Sequence, residues 1–241
     1  MPASLPNSIK STYAATVSGA GNLLVHVRVM SATPPDRSHR WRHWTHSLTG
    51  VYDARALAEL DVPWWTYSAI DAVEAWLSAR PRPIRVFEYG SGASTLWLAR
   101  RTDEVHSVEH HKEFAESMQS TFAKADNIQL LIREPVPSDT PVIPSSKHGH
   151  TGMDFAEYVG AIDQVGGAFD LIVLDGRARE AALRAAIPHL APDGLIVFDN
   201  TRRKRYQQAV LASGLSEQVV RGLTPSLPYP DRTSLLSRTE R

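Results

Sequence analysis

The 241-residue sequence predicts an α/β fold: a doubly wound, mostly parallel sheet preceded by an N-terminal extension. Two patterns carry that expectation. From residue 84 onward, apolar runs of strand length alternate with stretches of helical periodicity, and strands separated by single helices run parallel. The last two strand-like runs, 216–221 and 233–237, have no helix between them, so one of them is expected to run antiparallel.

Residues 1–22 are rich in Ser, Ala, Gly and Pro and read as a mobile lead-in. Over 24–30, Val25, Val27 and Val29 alternate with His26 and Arg28, the period of a half-buried strand. Pro34, Pro35 and Asp36 break it. A cluster of cations and tryptophans follows, from Arg37 through Trp41 and Trp44 to His46. Residues 1–60 form the expected extension, a candidate lid or homodimer contact, and 61–241 the main domain.

Asp61-Val62-Pro63 opens an expected helix to about residue 79, with Trp65, Ile70, Val73, Trp76 and Leu77 as its apolar positions and Pro81 and Pro83 ending it. Strands are then expected at 84–88, 104–109, 128–132, 169–174 and 194–198. Helices fall between or after them at 94–101, 112–125, 154–165, 179–190 and 203–212. Residues 135–152 form a long loop holding Pro135, Pro137, Pro141 and Pro144, and the Pro-rich stretch 224–231 joins the final two strands.

Composition removes several classes of function. Lys plus Arg (26) equals Asp plus Glu (26), so no overall field draws the chain to nucleic acid or anionic lipid, which argues against a nucleic-acid partner. The absence of cysteine removes disulfides, Cys-ligated zinc and thiolate nucleophiles, including the thiolate attack that methylation at carbon 5 of cytosine needs. No basic segment leads into a continuous apolar run, and no stretch approaches a membrane span, so a cytoplasmic protein without a membrane partner is expected.

The strongest local signal is Glu88-Tyr89-Gly90-Ser91-Gly92-Ala93-Ser94-Thr95, where a buried strand turns into a helix. Gly90 and Gly92 let the backbone approach a ligand closely, and the helix N-terminus offers unpaired N–H groups. Glu109 ends the next strand, where a carboxylate is placed to accept ribose hydroxyls. Dinucleotide sites put a third glycine where Thr95 stands. A carboxylate at Glu88 repels a pyrophosphate and suits the cationic amino end and sulfonium of S-adenosylmethionine.

Glu88-Tyr89-Gly90-Ser91-Gly92, Val108-Glu109-His110, Leu174-Asp175-Gly176 and Leu190 to Asp199-Asn200 resemble, in order, the successive motifs of class I S-adenosylmethionine-dependent methyltransferases. The resemblance covers about residues 62–240. It implies a Rossmann-like sheet of seven strands with the last antiparallel. It also implies that Glu88, Gly90 and Gly92 line the donor's amino-acid part, that Glu109 holds its ribose and that His110 flanks its adenine. Tyr89, Ser91, Ser94, Thr95, Asp175 and Gly176, on the same turns, complete the expected cofactor set.

Asp175 and Asp199-Asn200 close neighbouring strands at their carboxyl ends, where open α/β sheets place their chemistry. Part of this pattern is similar to the metal-dependent catechol and caffeoyl O-methyltransferases. That resemblance implies Asp175, Asp199 and Asn200 as ligands of Mg²⁺, which would grip an acceptor hydroxyl and lower its pKa. The match departs where that family has a lysine: Ala178 stands there, between Arg177 and Arg179. The other reading has Asp175 ordering a loop and Asp199-Asn200 capping a helix.

A catalytic base can instead come from the loop residues His150 and His148, since histidine titrates near neutrality. Trp64 and Tyr67 are candidate lining residues. The expected function is methyl transfer from S-adenosylmethionine to a small-molecule acceptor, chiefly a hydroxyl oxygen of a sugar, phenol or specialised metabolite. The alternatives are transfer to nitrogen or carbon, a non-catalytic S-adenosylmethionine-binding module, and a nicotinamide-dependent oxidoreductase. Leu174-Asp175-Gly176-Arg177 is not the Asp/Asn-Pro-Pro-aromatic motif of amino-methylating nucleic-acid enzymes.

Overall fold

The computed structural model describes residues 33–50, 53–145, 147 and 149–239. The expected strand at 24–30 and the candidate base His148 lie outside these residues. Among the described residues three α-helices precede the sheet: α1 (Arg40–Ser47), α2 (Ala54–Glu59) and α3 (Tyr67–Ala79). Then β1 (Arg85–Tyr89), α4 (Ala93–Ala99), β2 (Glu104–Glu109), α5 (Lys112–Phe122) and β3 (Ile128–Ile132) alternate. The short strands β4 (Val136–Pro137) and β5 (Met153–Asp154) bracket the long loop, before α6 (Ala156–Val159), α7 (Ala161–Val165) and β6 (Phe169–Leu174). The chain finishes with α8 (Arg179–His189), β7 (Leu190–Phe198), α9 (Lys204–Ser213), β8 (Ser216–Leu223) and β9 (Pro230–Ser237).

The main sheet has seven strands in the order β3-β2-β1-β6-β7-β9-β8, as expected of a doubly wound fold. β1, β2, β3, β6 and β7 are parallel to one another, whereas β9 runs antiparallel between β7 and β8. Successive side chains point to opposite faces, and both faces are covered. Val86, Leu171, Val173, Leu195 and Val197 pack against Leu57, Ile70, Val73 and Trp97 of α2 to α4. Phe87, Ile172, Leu174, Ile196 and Phe198 pack against Tyr158, Ile162, Leu183 and Tyr206 of α6 to α9. This two-sided burial explains why β6 reads as a continuous apolar run.

Three elements depart from the sequence expectation for local reasons. The helix expected from Asp61 begins at Tyr67, where the Thr66 hydroxyl caps the Ala69 N–H. Asp61 itself takes φ +51, incompatible with helix, and pairs with Arg100 and Arg101. The helix expected over 154–165 splits at Gly160, a weak helix former. β7 starts four residues early, because a register shift between Phe169 and Leu171 lets β6 pair with both Leu190 and Leu195.

The cationic stretch before the main domain is held by acids. Arg37 pairs with Glu74 and Arg40 with Asp71, both on α3, and Trp44 Nε1 donates to the Leu227 carbonyl at 3.0 Å. These cations neutralise α3 and do not form an open basic surface. Among the described residues no helix is long and apolar enough to cross a membrane.

Candidate active site

The carboxyl ends of β1, β2 and β6 meet at a cavity of about 390 Å³. Its wall is made by the turn from Gly90 to Ser94, by Glu109 to His111 with Phe114, by Asp175 to Arg177, and by Trp64, Lys147 and His150. Two glycines bring the turns together. Gly90 has φ +96, and a Cβ there would lie 2.7 Å from the Gly176 Cα. A Cβ on Gly176 would run into the Tyr158 hydroxyl. The Gly90 clash is with backbone, and backbone atoms of Gly90 and Tyr89 also stand at 3.0 Å from a Cβ on Gly176, so the two turns have no room for side chains.

Glu109, almost wholly buried, ties two of these turns to one carboxylate. Its Oε2 accepts the Ser91 N–H at 3.0 Å and the Ser91 hydroxyl at 3.2 Å. Its Oε1 accepts the N–H groups of His110 (2.8 Å) and His111 (2.9 Å). The His110 Nδ1 also lies 2.7 Å from that oxygen, at ion-pair distance but not aligned as a hydrogen bond. Burial opposes the charge, yet His110 and these donors together hold the carboxyl below the ordinary carboxylate range.

Glu88 stands elsewhere than expected. Its side chain has no exposure and lies beneath the turn, outside the cavity wall. There it accepts the hydroxyls of Ser94 (2.5 Å), Thr95 (2.5 Å) and Ser107 (2.7 Å). Three hydroxyl donors turn it into a brace for the start of α4, and burial pushes its carboxyl up to about 7. Thr95 also accepts the Gly92 N–H at 2.9 Å, so it belongs to the same brace. The Tyr89 ring points into the core and donates to the Val159 carbonyl at 2.7 Å. Of the expected cofactor residues, Gly90, Ser91, Gly92, Ser94, Glu109, His110, Asp175 and Gly176 line the cavity, while Glu88, Tyr89 and Thr95 support it from behind.

The long loop delivers His150 to the wall by folding back on Asp154. That carboxylate accepts the N–H groups of Val142, Ile143 and Ala156, at 2.8, 3.0 and 2.9 Å. The His150 ring stands 5.8 Å from His110 and 5.5 Å from Phe155. Burial, then the charges of Arg177, His110, Lys147 and His111, hold its pKa below the ordinary histidine value, so it is a neutral imidazole at pH 7. Trp64 lines the cavity; Tyr67 does not, being buried against His43 Nδ1 at 2.6 Å.

Asp175, Asp199 and Asn200 do not form the expected Mg²⁺ ligand set, because a guanidinium already stands between them. Arg179, 4% exposed, donates from Nη2 to Asp175 Oδ1 and from Nη1 to the Asp199 carbonyl, each at 2.7 Å. Asn200 turns its amide nitrogen to Asp199 Oδ2 (2.5 Å) and Asp231 Oδ2 (3.0 Å). Asp199 Oδ1 accepts the Thr233 hydroxyl at 2.8 Å. Burial raises the carboxyls of Asp175 and Asp199, the second also through the Asp175 charge. A hard cation needs several free oxygens at once, and both Asp199 oxygens and Asp175 Oδ1 already accept donors of the chain. Among the described residues no group of three His, Cys, Asp or Glu is arranged to hold a metal ion.

The sequence reading missed Arg179 as this internal cation, and Lys147, His111, Phe114 and Arg177 as wall residues. The signal was the Arg-Ala-Arg run after Asp175-Gly176, where Ala178 takes φ +46 and aims Arg179 inward.

Residues 87–201 match a family described as a methyltransferase domain. None of the curated proteins matches the chain. Among solved structures, precorrin 8W decarboxylase from Methanobacterium thermoautotrophicum is similar over 73% of this chain and 91% of its own, at 16% identity and a TM-score of 0.48. The N-methyltransferase NodS from Bradyrhizobium japonicum WM9 is similar over 72% and 98%, at 13% identity and a TM-score of 0.46. SMU.1697c from Streptococcus mutans, solved in complex with SAH, is similar over 69% and 96%, at 11% identity and a TM-score of 0.47. The stretch matched to the methyltransferase domain, residues 87–201, takes in the Gly90–Ser94 turn, Glu109 to His111 and Asp175 to Arg177 of the cavity wall.

Proposed function

We propose that the chain transfers the methyl group of S-adenosylmethionine to a hydroxyl oxygen of a small-molecule acceptor, with His150 as the general base. The observation that carries this reading is the meeting of the Gly90–Ser94 turn, Glu109 and a neutral His150 around one cavity. The donor lies along the glycine turn, its ribose toward Glu109 and its adenine beside His110. Glu88, Tyr89 and Thr95 act behind this surface by holding the turn in shape. Residues 1–60 are proposed to cover the site or to join two copies of the chain.

In the reaction, a lone pair of the acceptor oxygen forms the bond to the methyl carbon. The carbon–sulfur bond breaks with its electron pair going to sulfur, which leaves S-adenosylhomocysteine. The hydroxyl proton passes to His150, which is already deprotonated at neutral pH. The protein contributes by holding the sulfonium and the oxygen in line, so that bound geometry replaces a rare encounter. Arg179 supplies the positive charge inside the Asp175–Asp199 cluster, so no metal step is part of the proposal.

Calorimetric titration of S-adenosylmethionine and S-adenosylhomocysteine, with NAD as control, tests the donor. Binding of both methyl-cycle compounds and not of NAD is expected. NAD binding without them would transfer the chain to the oxidoreductases.

A further inference from the structure

We infer that Arg177 is an oxyanion-binding residue of the cavity, and that the methyl acceptor carries a carboxylate or phosphate group that its guanidinium receives. The inference rests on the proposed methyl transfer and narrows its acceptor class.

Arg177 and Arg179 leave the same strand end with opposite fates. Arg179 is saturated: its Nε, Nη1 and Nη2 reach the carbonyls of Gly176 (3.0 Å), Asp199 (2.7 Å) and Asp175 (2.7 Å), and Nη2 also reaches the Asp175 carboxylate. Arg177 lines the cavity, yet its guanidinium makes no hydrogen bond or ion pair among the described residues, and its Nε is buried away from water. The carboxylate nearest in sequence, Asp175, is already committed to Arg179. Burial, then the adjoining Arg179 charge, depress the Arg177 pKa by more than Tyr158, Tyr206 and Asp175 raise it.

A half-buried cation with no hydrogen-bond partner is costly, and a bound anion removes that cost. The wall's other carboxylate, Glu109, makes no bond to Arg177. Glu109 has given its oxygens to Ser91, His110 and His111, whereas Lys147, His110, His111 and His150 stand on the same wall. The charges of Arg177 and Lys147 both act on His150, which places the two cations around the proposed base. The donor deepens the imbalance, since its sulfonium and ammonium outweigh its single carboxylate. The neutralising group therefore comes with the acceptor. The guanidinium fork binds a planar or tetrahedral oxyanion through two parallel N–H bonds, which fixes orientation as well as charge. The anionic group is the handle, and a separate hydroxyl is the nucleophile.

The donor's own carboxylate offers the same chemistry, and the test separates the two sources. S-adenosylhomocysteine is titrated into the full-length wild-type chain, R177M and R177K. Phenyl phosphate, with phenol as the neutral control, is then titrated into each saturated complex. R177M is expected to weaken phenyl phosphate binding by about tenfold or more, the loss of a charge-assisted pair, while S-adenosylhomocysteine affinity stays within about twofold. R177K is expected to retain part of the phenyl phosphate binding. Loss of S-adenosylhomocysteine affinity with phenyl phosphate unchanged would assign the guanidinium to the donor and overturn the inference. Equal binding of phenyl phosphate by wild type and R177M, or none by either, would also overturn it. Should R177M fail to fold, R177K against wild type carries the same comparison. If the wild-type chain binds no S-adenosylhomocysteine, the donor reading fails, and phenyl phosphate titrated into the ligand-free variants still decides Arg177.

Discussion

Ser91 gives Glu109 both its backbone N–H, at 3.0 Å, and its hydroxyl, at 3.2 Å, so a residue of the glycine turn is fastened to the end of the next strand. The other oxygen of Glu109 fastens the following turn through His110 and His111. One carboxylate therefore sets the spacing of the two loops between which the donor is proposed to lie. In Glu109→Ala all of these bonds disappear at once.

Glu109→Ala is expected to weaken S-adenosylhomocysteine binding at least about tenfold, because buried N–H groups lose a charged acceptor worth about 1.5–3 kcal/mol each. Glu109→Gln keeps the shape and loses the charge, and it should bind with intermediate affinity. Calorimetry on both variants, after circular dichroism shows them folded, checks this. Unchanged affinity in a folded Glu109→Gln would remove Glu109 from the donor site.

His150 sets a pH profile. Its pKa lies below the ordinary 6.5, so turnover should be flat at neutral pH and fall as the imidazole becomes protonated in acid. His150→Gln is expected to lower kcat by about a hundredfold, the lower range for a lost general base, with KM little changed. It should also abolish the acid limb. A His150→Gln variant with the wild-type profile would pass the role of base to another group.

Arg179→Met leaves Asp175 without its cation and the Asp199 carbonyl without its donor. Removing one partner of such a buried pair costs about 3–5 kcal/mol, so a fall in Tm of many degrees is expected. The intact enzyme should keep its turnover in EDTA, and added Mg²⁺ should leave its Tm unchanged. Turnover lost to EDTA and restored by Mg²⁺ would refute the assignment of Arg179 as the internal cation.

Glu88 makes stability fall with rising pH. Its native pKa of about 7 exceeds the ordinary 4.5, so the folded chain holds a proton that the unfolded chain has released. Its contribution is complete below about pH 4.5 and is lost as pH climbs through 7, by about 3 kcal/mol in all. The Tm difference between wild type and Glu88→Gln, followed from pH 5 to 8, should move in favour of the variant. A difference that stays constant with pH would mean Glu88 is ionised throughout.

The sequence alone determined the sheet and the order of its parts. Period-2 and period-3.6 patterns are local, and the covered faces of β6 and β7 are written in the apolar runs 171–174 and 195–198; the glycines at 90 and 92 likewise mark their turn without reference to the rest of the chain. Which polar side chains face the cavity was decided only in three dimensions. Glu88 and Glu109 both end strands of the same sheet, yet Ser94, Thr95 and Ser107 draw the first beneath the turn while Ser91 and His110 keep the second at the wall. Asp175, Asp199 and Asn200 have the spacing of cation ligands, but Arg179 takes an oxygen of Asp175, and Thr233 and Asn200 take those of Asp199. A side chain's partners come from other turns and strands as well as its own, and where donors and acceptors must be satisfied without water, those partners decide which way the charge points.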